Sequence, residues 1–145
     1  MGRNYIENSK LTVTKFNRVS YRPKKRDTEG LGALQEAPKI LDFVLPNGGI
    51  ITMSTHEEIL IGRKARPNDP MVSLDLQPYE GRDLGVSRCH AMMAVMHNKL
   101  TIQDLNSLNH TLLNGQMLIP MKRYTLRDGD KISLGSFVME VHFVG

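Results

Sequence analysis

From Lys39 onward, apolar residues recur with a period of two in short runs separated by Gly, Pro, Asn and Asp, which is the signature of β-strands joined by tight turns. Ile40 to Leu45 and Ile50 to Met53 flank Pro46-Asn47-Gly48-Gly49, so a hairpin is predicted there, and Glu58 to Gly62 follows as a further strand. Val72, Leu74 and Leu76 alternate with Ser73 and Asp75, the pattern of a half-buried strand. Met92, Ala94 and Met96 share one face, and after a turn at His97-Asn98 the chain returns through Leu100 and Ile102. The C-terminal stretch repeats the rhythm, with Ile132 and Leu134, a turn at Gly135-Ser136, then Phe137, Met139, Val141 and Phe143 on one face. No helical periodicity longer than two turns is found after residue 39. Ten or eleven short strands at this spacing predict an all-β protein, an antiparallel β-sandwich.

The first 38 residues differ in texture. They hold only brief alternations (Leu11 and Val13; Phe16, Val19 and Tyr21), then a charged stretch and a Gly-rich one ending at Pro38. The expectation is an irregular tail or linker over 1–38 and one folded domain over 39–145. A chain of 145 residues, 40% hydrophobic and 23% charged, is long enough to bury a core without disulfides. Its single cysteine, Cys89, rules out an intrachain disulfide framework. No apolar run is long enough for a membrane span or a signal peptide, so the expected location is the cytoplasm, with no membrane partner. The net charge is +4, and its position matters more than its size. Residues 1–38 carry 8 Lys or Arg against 4 Asp or Glu, whereas residues 39–145 carry 11 of each. A domain with no basic excess is a poor duplex binder, which argues against nucleic acid as its partner.

No catalytic pattern fits the sequence. Cys89 and His90 adjoin, and neighbours on a strand point to opposite faces, so they do not make a thiolate–imidazole pair. The five histidines, His56, His90, His97, His110 and His142, lack metal-ligand spacing. Asp128 and Asp130 flank Gly129 ahead of a strand, which reads as a tight turn. The chain is therefore expected to be no enzyme and to need no cofactor or metal. Polar residues instead gather between strands at three places: Gly62-Arg63, Ser87 to His90, and Asp104 to Gly115. Loops of a sandwich cluster at the ends of its sheets, so these segments can converge, and together they offer guanidinium groups, hydroxyls and a carboxamide. That inventory suits a phosphate.

Gly62-Arg63, Ser87-x-x-His90, Asn109-x-Thr111 and Asn114-Gly115, in that order along residues 39–145, resemble the forkhead-associated (FHA) domain family. The phrases Asp75-Leu76-Gln77-Pro78-Tyr79 and Gly85-Val86-Ser87-Arg88 resemble its bacterial members. The resemblance implies a sandwich of two twisted sheets that binds phosphothreonine peptides through its loops without catalysis. It further implies that Arg63 meets the phosphate with its fork of N–H donors, that Ser87 donates a hydroxyl, and that Asn109 holds the peptide backbone. Arg88 has two roles open, a donor to the phosphate or a solvated arginine. His90 and Thr111 are expected to brace the loops, and Gly62, Asn114 and Gly115 to supply tight backbone geometry. Two positions depart from the family pattern. Leu108 stands where Thr is common, leaving Ser107 as the substitute hydroxyl, and His110 stands where Gly is usual, at a cost if its φ is positive.

The partner expected is a phosphothreonine-containing protein. A second candidate is the chain's own tail, phosphorylated at Thr28, against the plainer reading of a passive linker. The alternative function is phosphate-independent assembly through an FHA-like structural module, with a basic tail that touches acidic partners or nucleic acid.

Overall fold

The computed structural model describes residues 13–15, as backbone, and residues 36–145. Among the described residues the strands are β1 (Val13–Lys15), β2 (Ile40–Val44), β3 (Gly49–Ser54), β4 (Ile59–Gly62), β5 (Leu74–Asp75) and β6 (Cys89–Met96). After them come β7 (Lys99–Asp104), β8 (Thr111–Leu113), β9 (Gln116–Met117), β10 (Arg123–Thr125), β11 (Lys131–Leu134) and β12 (Phe137–Val144). They build a seven-stranded sheet in the order β1-β3-β2-β12-β11-β8-β9 and a five-stranded sheet in the order β10-β7-β6-β4-β5.

Alternation decides what lies between the sheets. Leu41, Phe43, Phe137, Met139 and Val141 from the first sheet pack with Ile59, Ile61, Met93 and Ile102 from the second in one buried cluster. Phe43 and Phe137 are fully buried, each worth roughly 1.5 to 3 kcal/mol against exposure. The expected turns also form. In the β2–β3 hairpin Gly48 has φ 85° and the Asn47 carboxamide oxygen accepts the Gly49 N–H at 2.8 Å. His97 and Asn98 both have positive φ, 52° and 63°, as the two-residue turn between β6 and β7 requires.

Two features differ from the sequence expectation and a third refines it. Met92, Ala94 and Met96 share one face of β6 as their spacing implies, while the opposite face, with Ala91 and Met93, joins the core cluster between the sheets. The pair β4–β5 is parallel, with Ile61 opposite Leu74, because residues 63–73 cross back before the chain re-enters the sheet. Within the expected tail, Val13–Lys15 forms β1, antiparallel to the edge of β3. Main-chain pairing to an open edge leaves little trace in side-chain pattern. The rest of the tail up to residue 35, Thr28 included, lies outside the described residues. No helix among the described residues is long and apolar enough to cross a membrane.

One irregularity places the site. Along the β4–β6 ladder Ile61 faces Ala91, but Gly62 faces Cys89, so His90 is an extra residue in a bulge. The bulge turns His90 inward and brings the end of β4 against the Ser87-Arg88 main chain. A Cβ on Gly62 would overlap the Arg88 carbonyl oxygen and lie 2.7 Å from its carbon, and both atoms are backbone. Gly62→Ala is therefore expected to lower stability by about 2 to 4 kcal/mol, read as a shift of the urea midpoint at constant slope. A loss below about 0.5 kcal/mol would show that the two main chains do not touch.

Candidate functional site

The segments Gly62-Arg63, Leu84 to Arg88 and Leu108 to His110 meet at one end of the sandwich, joined by the β11–β12 turn. Ser136 donates its N–H to the Leu84 carbonyl at 2.7 Å, and Gly135 donates to the His110 carbonyl at 3.1 Å. Gly135 has φ 63°, and a side chain there would stand 2.9 Å from the carbonyl oxygens of Leu84 and Gly85.

Three consecutive residues collect the sequence-predicted side chains. The Gly85 carbonyl accepts Asn109 Nδ2 at 3.0 Å, and the Val86 carbonyl accepts Arg63 Nε at 2.6 Å. The Ser87 hydroxyl oxygen accepts the Leu108 N–H at 3.2 Å. Arg63 is further held by Nη1 on the Gln77 carboxamide oxygen at 3.4 Å, and its own N–H donates to the Arg88 carbonyl at 3.1 Å. Most of its guanidinium N–H donors stay open, as does the hydroxyl proton of Ser87. Asn109 is exposed, and its carboxamide oxygen has no hydrogen bond among the described residues. The cup thus presents a planar cation, a hydroxyl and an amide oxygen, an arrangement able to hold an oxyanion esterified to an extended chain.

Arg88 is the second cation nearby. Its Nη1 lies 3.1 Å from Asp69 Oδ1, and half of the side chain is exposed. Asp69 belongs to the loop after β4, a position that sequence reasoning passed over.

Behind the cup, His90 is fully buried. Its Nδ1 accepts the Ser87 N–H at 3.0 Å, so the ring proton sits on Nε2, which donates to the His110 carbonyl at 2.9 Å. One ring therefore ties the Ser87 loop to the Asn109 loop. His110 has φ 68°, the left-handed conformation expected to carry a cost for a non-glycine residue. Ser107 is placed differently from a phosphate ligand. Its side chain is buried, and its hydroxyl donates to Asp104 Oδ1 at 2.5 Å while its N–H bonds Oδ2 at 3.2 Å. Thr111 donates to the same Asp104 Oδ1 at 2.6 Å. Burial pushes the Asp104 carboxyl up, but the hydrogen bonds from Ser107 and Thr111 and the neighbouring His90 outweigh it and hold it below the ordinary carboxylate value. Asp104 closes the loop 104–111; the sequence places it at the head of a polar segment but gives it no role, since an Asp at a strand end carries no signal of burial.

Asn114 and Gly115 lie one short strand away from the cup. They form the β8–β9 turn with φ 52° and 86°, and the Asn114 carboxamide bridges Asp130 Oδ1 and the Lys131 N–H at 3.0 and 2.9 Å. Asp130 also accepts the Arg127 N–H, and Asp128 the Phe143 N–H, so both carboxylates bind backbone at this turn.

The FHA domain family profile matches residues 59–135, more than half of the chain. The chain belongs to the FHA domain family. It is 37% identical over 71 residues to Protein FraH of Nostoc sp., a match that takes in 48% of this chain and 24% of that protein, so the chain spans about a quarter of the relative's length. Among solved structures, an FHA domain of an Arabidopsis thaliana protein superposes with a TM-score of 0.62 at 31% identity, covering 75% of this chain and 88% of that one. The MEK1 FHA domain, solved in complex with a phosphothreonine peptide of HOP1, gives 0.56 at 26% identity, covering 75% and 99%.

His90 makes the brace sensitive to pH. Burial lowers its pKa below the ordinary 6.5, outweighing the His110 carbonyl and the Asp104 charge, which favour the protonated ring. The unfolded chain binds a proton near 6.5 that the folded state refuses, so stability is full above that pH and falls as the pH drops towards the lowered folded value. The urea midpoint is expected to be lower at about pH 5.5 than at about pH 7.5, and His90→Gln, which can accept and donate in place, to shrink the difference. An identical pH response in the variant would remove His90 as its source.

Proposed function

We propose that this chain is a cytoplasmic, non-catalytic reader of phosphothreonine in a partner protein. The observation that carries the reading is the convergence of Arg63, Ser87 and Asn109 on the three residues Gly85 to Ser87, with their outer donors and acceptors open. In this reading the Arg63 guanidinium and Ser87 hydroxyl take phosphate oxygens, while the Asn109 carboxamide fixes the direction of the peptide. Ser107 and Thr111 act at one remove, by shaping the loop through Asp104. A phosphothreonine brings roughly −1.5 to −2 charges, and hydrogen bonds to a charged group contribute about 1.5 to 3 kcal/mol each. Most of the affinity should then vanish with the phosphate. The FHA domain bound to the HOP1 phosphothreonine peptide supports the same partner class by kinship.

A second reading, assembly that does not depend on phosphate, draws on the exposed apolar side chains of Leu108, Met117, Ile119 and Met121. Hydrogen bonds from the Leu118 and Met121 N–H groups to the Thr111 and Asp104 carbonyls lay this segment along the two ends of the Asn109 loop.

Calorimetry with a degenerate peptide pool carrying a central phosphothreonine, against the same pool unphosphorylated, separates the two. Arg63→Ala is expected to weaken binding of the phosphorylated pool by about 2 to 5 kcal/mol. Equal affinity for both pools, or a stable oligomer indifferent to Arg63→Ala, would favour assembly instead.

A further inference from the structure

The loop after β4 is built around one carboxylate. Asp69 Oδ2 accepts the N–H groups of Ala65 and Arg66 at 2.9 Å each, and the Asp69 N–H donates to the Arg66 carbonyl at 3.0 Å. Lys64 Nζ closes the same loop from the other side, donating to the carbonyls of Pro67 and Asp69 at 3.0 Å. The Asp69 side chain is only 7% exposed. Its second oxygen, Oδ1, is directed at Arg88 Nη1, 3.1 Å away, and is the sole hydrogen-bond acceptor of that guanidinium among the described residues. Burial raises the Asp69 carboxyl, but the two backbone N–H donors and the Arg88 charge outweigh it and keep the group an anion at neutral pH.

Arg88 follows Ser87 directly, and its carbonyl already holds the Arg63 N–H at 3.1 Å. A guanidinium has five N–H donors, and Asp69 engages one of its nitrogens, so several remain without a partner among the described residues on a half-exposed side chain. An exposed arginine with no anchor must be ordered when ligand arrives, whereas one already pinned loses less on binding. Arg63 shows the same arrangement, backed by the Val86 carbonyl and the Gln77 carboxamide with its other donors left open.

We propose that Asp69 is a positioning residue, which holds the Arg88 guanidinium ordered beside Ser87 as the second cationic contact to a phosphothreonine phosphate. The inference rests on the phosphothreonine reading above. With the phosphate on the side of the guanidinium away from Asp69, the cation would stand between two anions and nearer to each than they are to one another, a row that is attractive overall.

The test uses the full chain and the two degenerate peptide pools, phosphorylated and unphosphorylated. Asp69→Asn keeps an acceptor for the Ala65 and Arg66 N–H groups while removing the charge that Arg88 meets. It is expected to weaken binding of the phosphorylated pool roughly two- to fivefold, and to change it by less than about 1.5-fold when Arg88→Ala is already present. An equal loss in both backgrounds assigns Asp69 to the loop alone and overturns the proposal. So does unchanged or tighter binding by Asp69→Asn while the wild type keeps its preference for phosphate. If the wild type binds both pools alike, the phosphothreonine reading itself fails and takes this one with it, an outcome visible before any Asp69 variant is made. A measurement without variants is the side-chain Nε–Hε heteronuclear NOE of the unliganded protein: Arg88 is expected to be as ordered as Arg63, and mobility equal to that of exposed Arg127 overturns the assignment.

Discussion

The side chains and loops that make the site are referred to three consecutive residues, Gly85, Val86 and Ser87. Two carbonyls and one hydroxyl on consecutive residues receive donors from the Asn109 carboxamide, the Arg63 guanidinium and the Leu108 amide. Each such hydrogen bond adds only about 0.5 to 1.5 kcal/mol to stability, so their weight lies in geometry. They decide which atoms of Arg63, Ser87 and Asn109 are used up inside the protein and which remain to face a ligand. The close approach depends on missing side chains. Gly62 lets β4 abut the Arg88 carbonyl, and Gly85, at φ 91°, lies where a Cβ would come within 2.9 Å of the Asn109 amide nitrogen.

A cup made from loops keeps its shape only if something rigid stands behind it. Here two buried polar centres take that part. His90, turned inward by the bulge, links the Ser87 N–H to the His110 carbonyl, and Asp104, at the end of β7, gathers Ser107 and Thr111. Both are satisfied by hydrogen bonds, which is the condition under which a buried polar group specifies a conformation and does not merely destabilise it. They sit on β6 and β7, adjacent strands of one sheet, so the two loops are referred to the same pair of core strands.

The sheets were readable because period-two alternation and turn residues agree along most of residues 39–145. Phe137, Met139 and Val141 fall on the buried face as their spacing implies, and Pro46 to Gly49 makes the hairpin. Main-chain events were less visible. Pairing of β1 with β3 and the parallel entry of β5 depend on open strand edges, which any side-chain pattern tolerates. At the site, the residues brought together by main-chain convergence were marked by type and order, Arg63, Ser87 and Asn109 among them. Direction was harder to read. A loop serine looks the same in sequence whether its hydroxyl faces solvent or, as in Ser107, a buried aspartate. Asp69 escaped notice and Asp104, though within a marked polar segment, was given no role for the same reason, since a carboxylate in a loop or at a strand end does not reveal which donors it will hold.

The two departures from the family pattern become intelligible once backbone and side-chain roles are separated. Leu108 lacks the hydroxyl of a threonine, yet its contribution to the cup is an amide N–H on Ser87, which any residue but proline supplies, and its side chain is 82% exposed. His110 accepts the cost of φ 68°, and what it contributes is a carbonyl that receives both His90 Nε2 and the Gly135 N–H. Histidine tolerates that conformation better than bulkier or β-branched residues do. Both side chains are thereby released from the architecture and stand at its rim. Variation at these positions leaves the fixed contacts intact and changes what the rim offers an arriving chain, an apolar surface at 108 and an imidazole at 110.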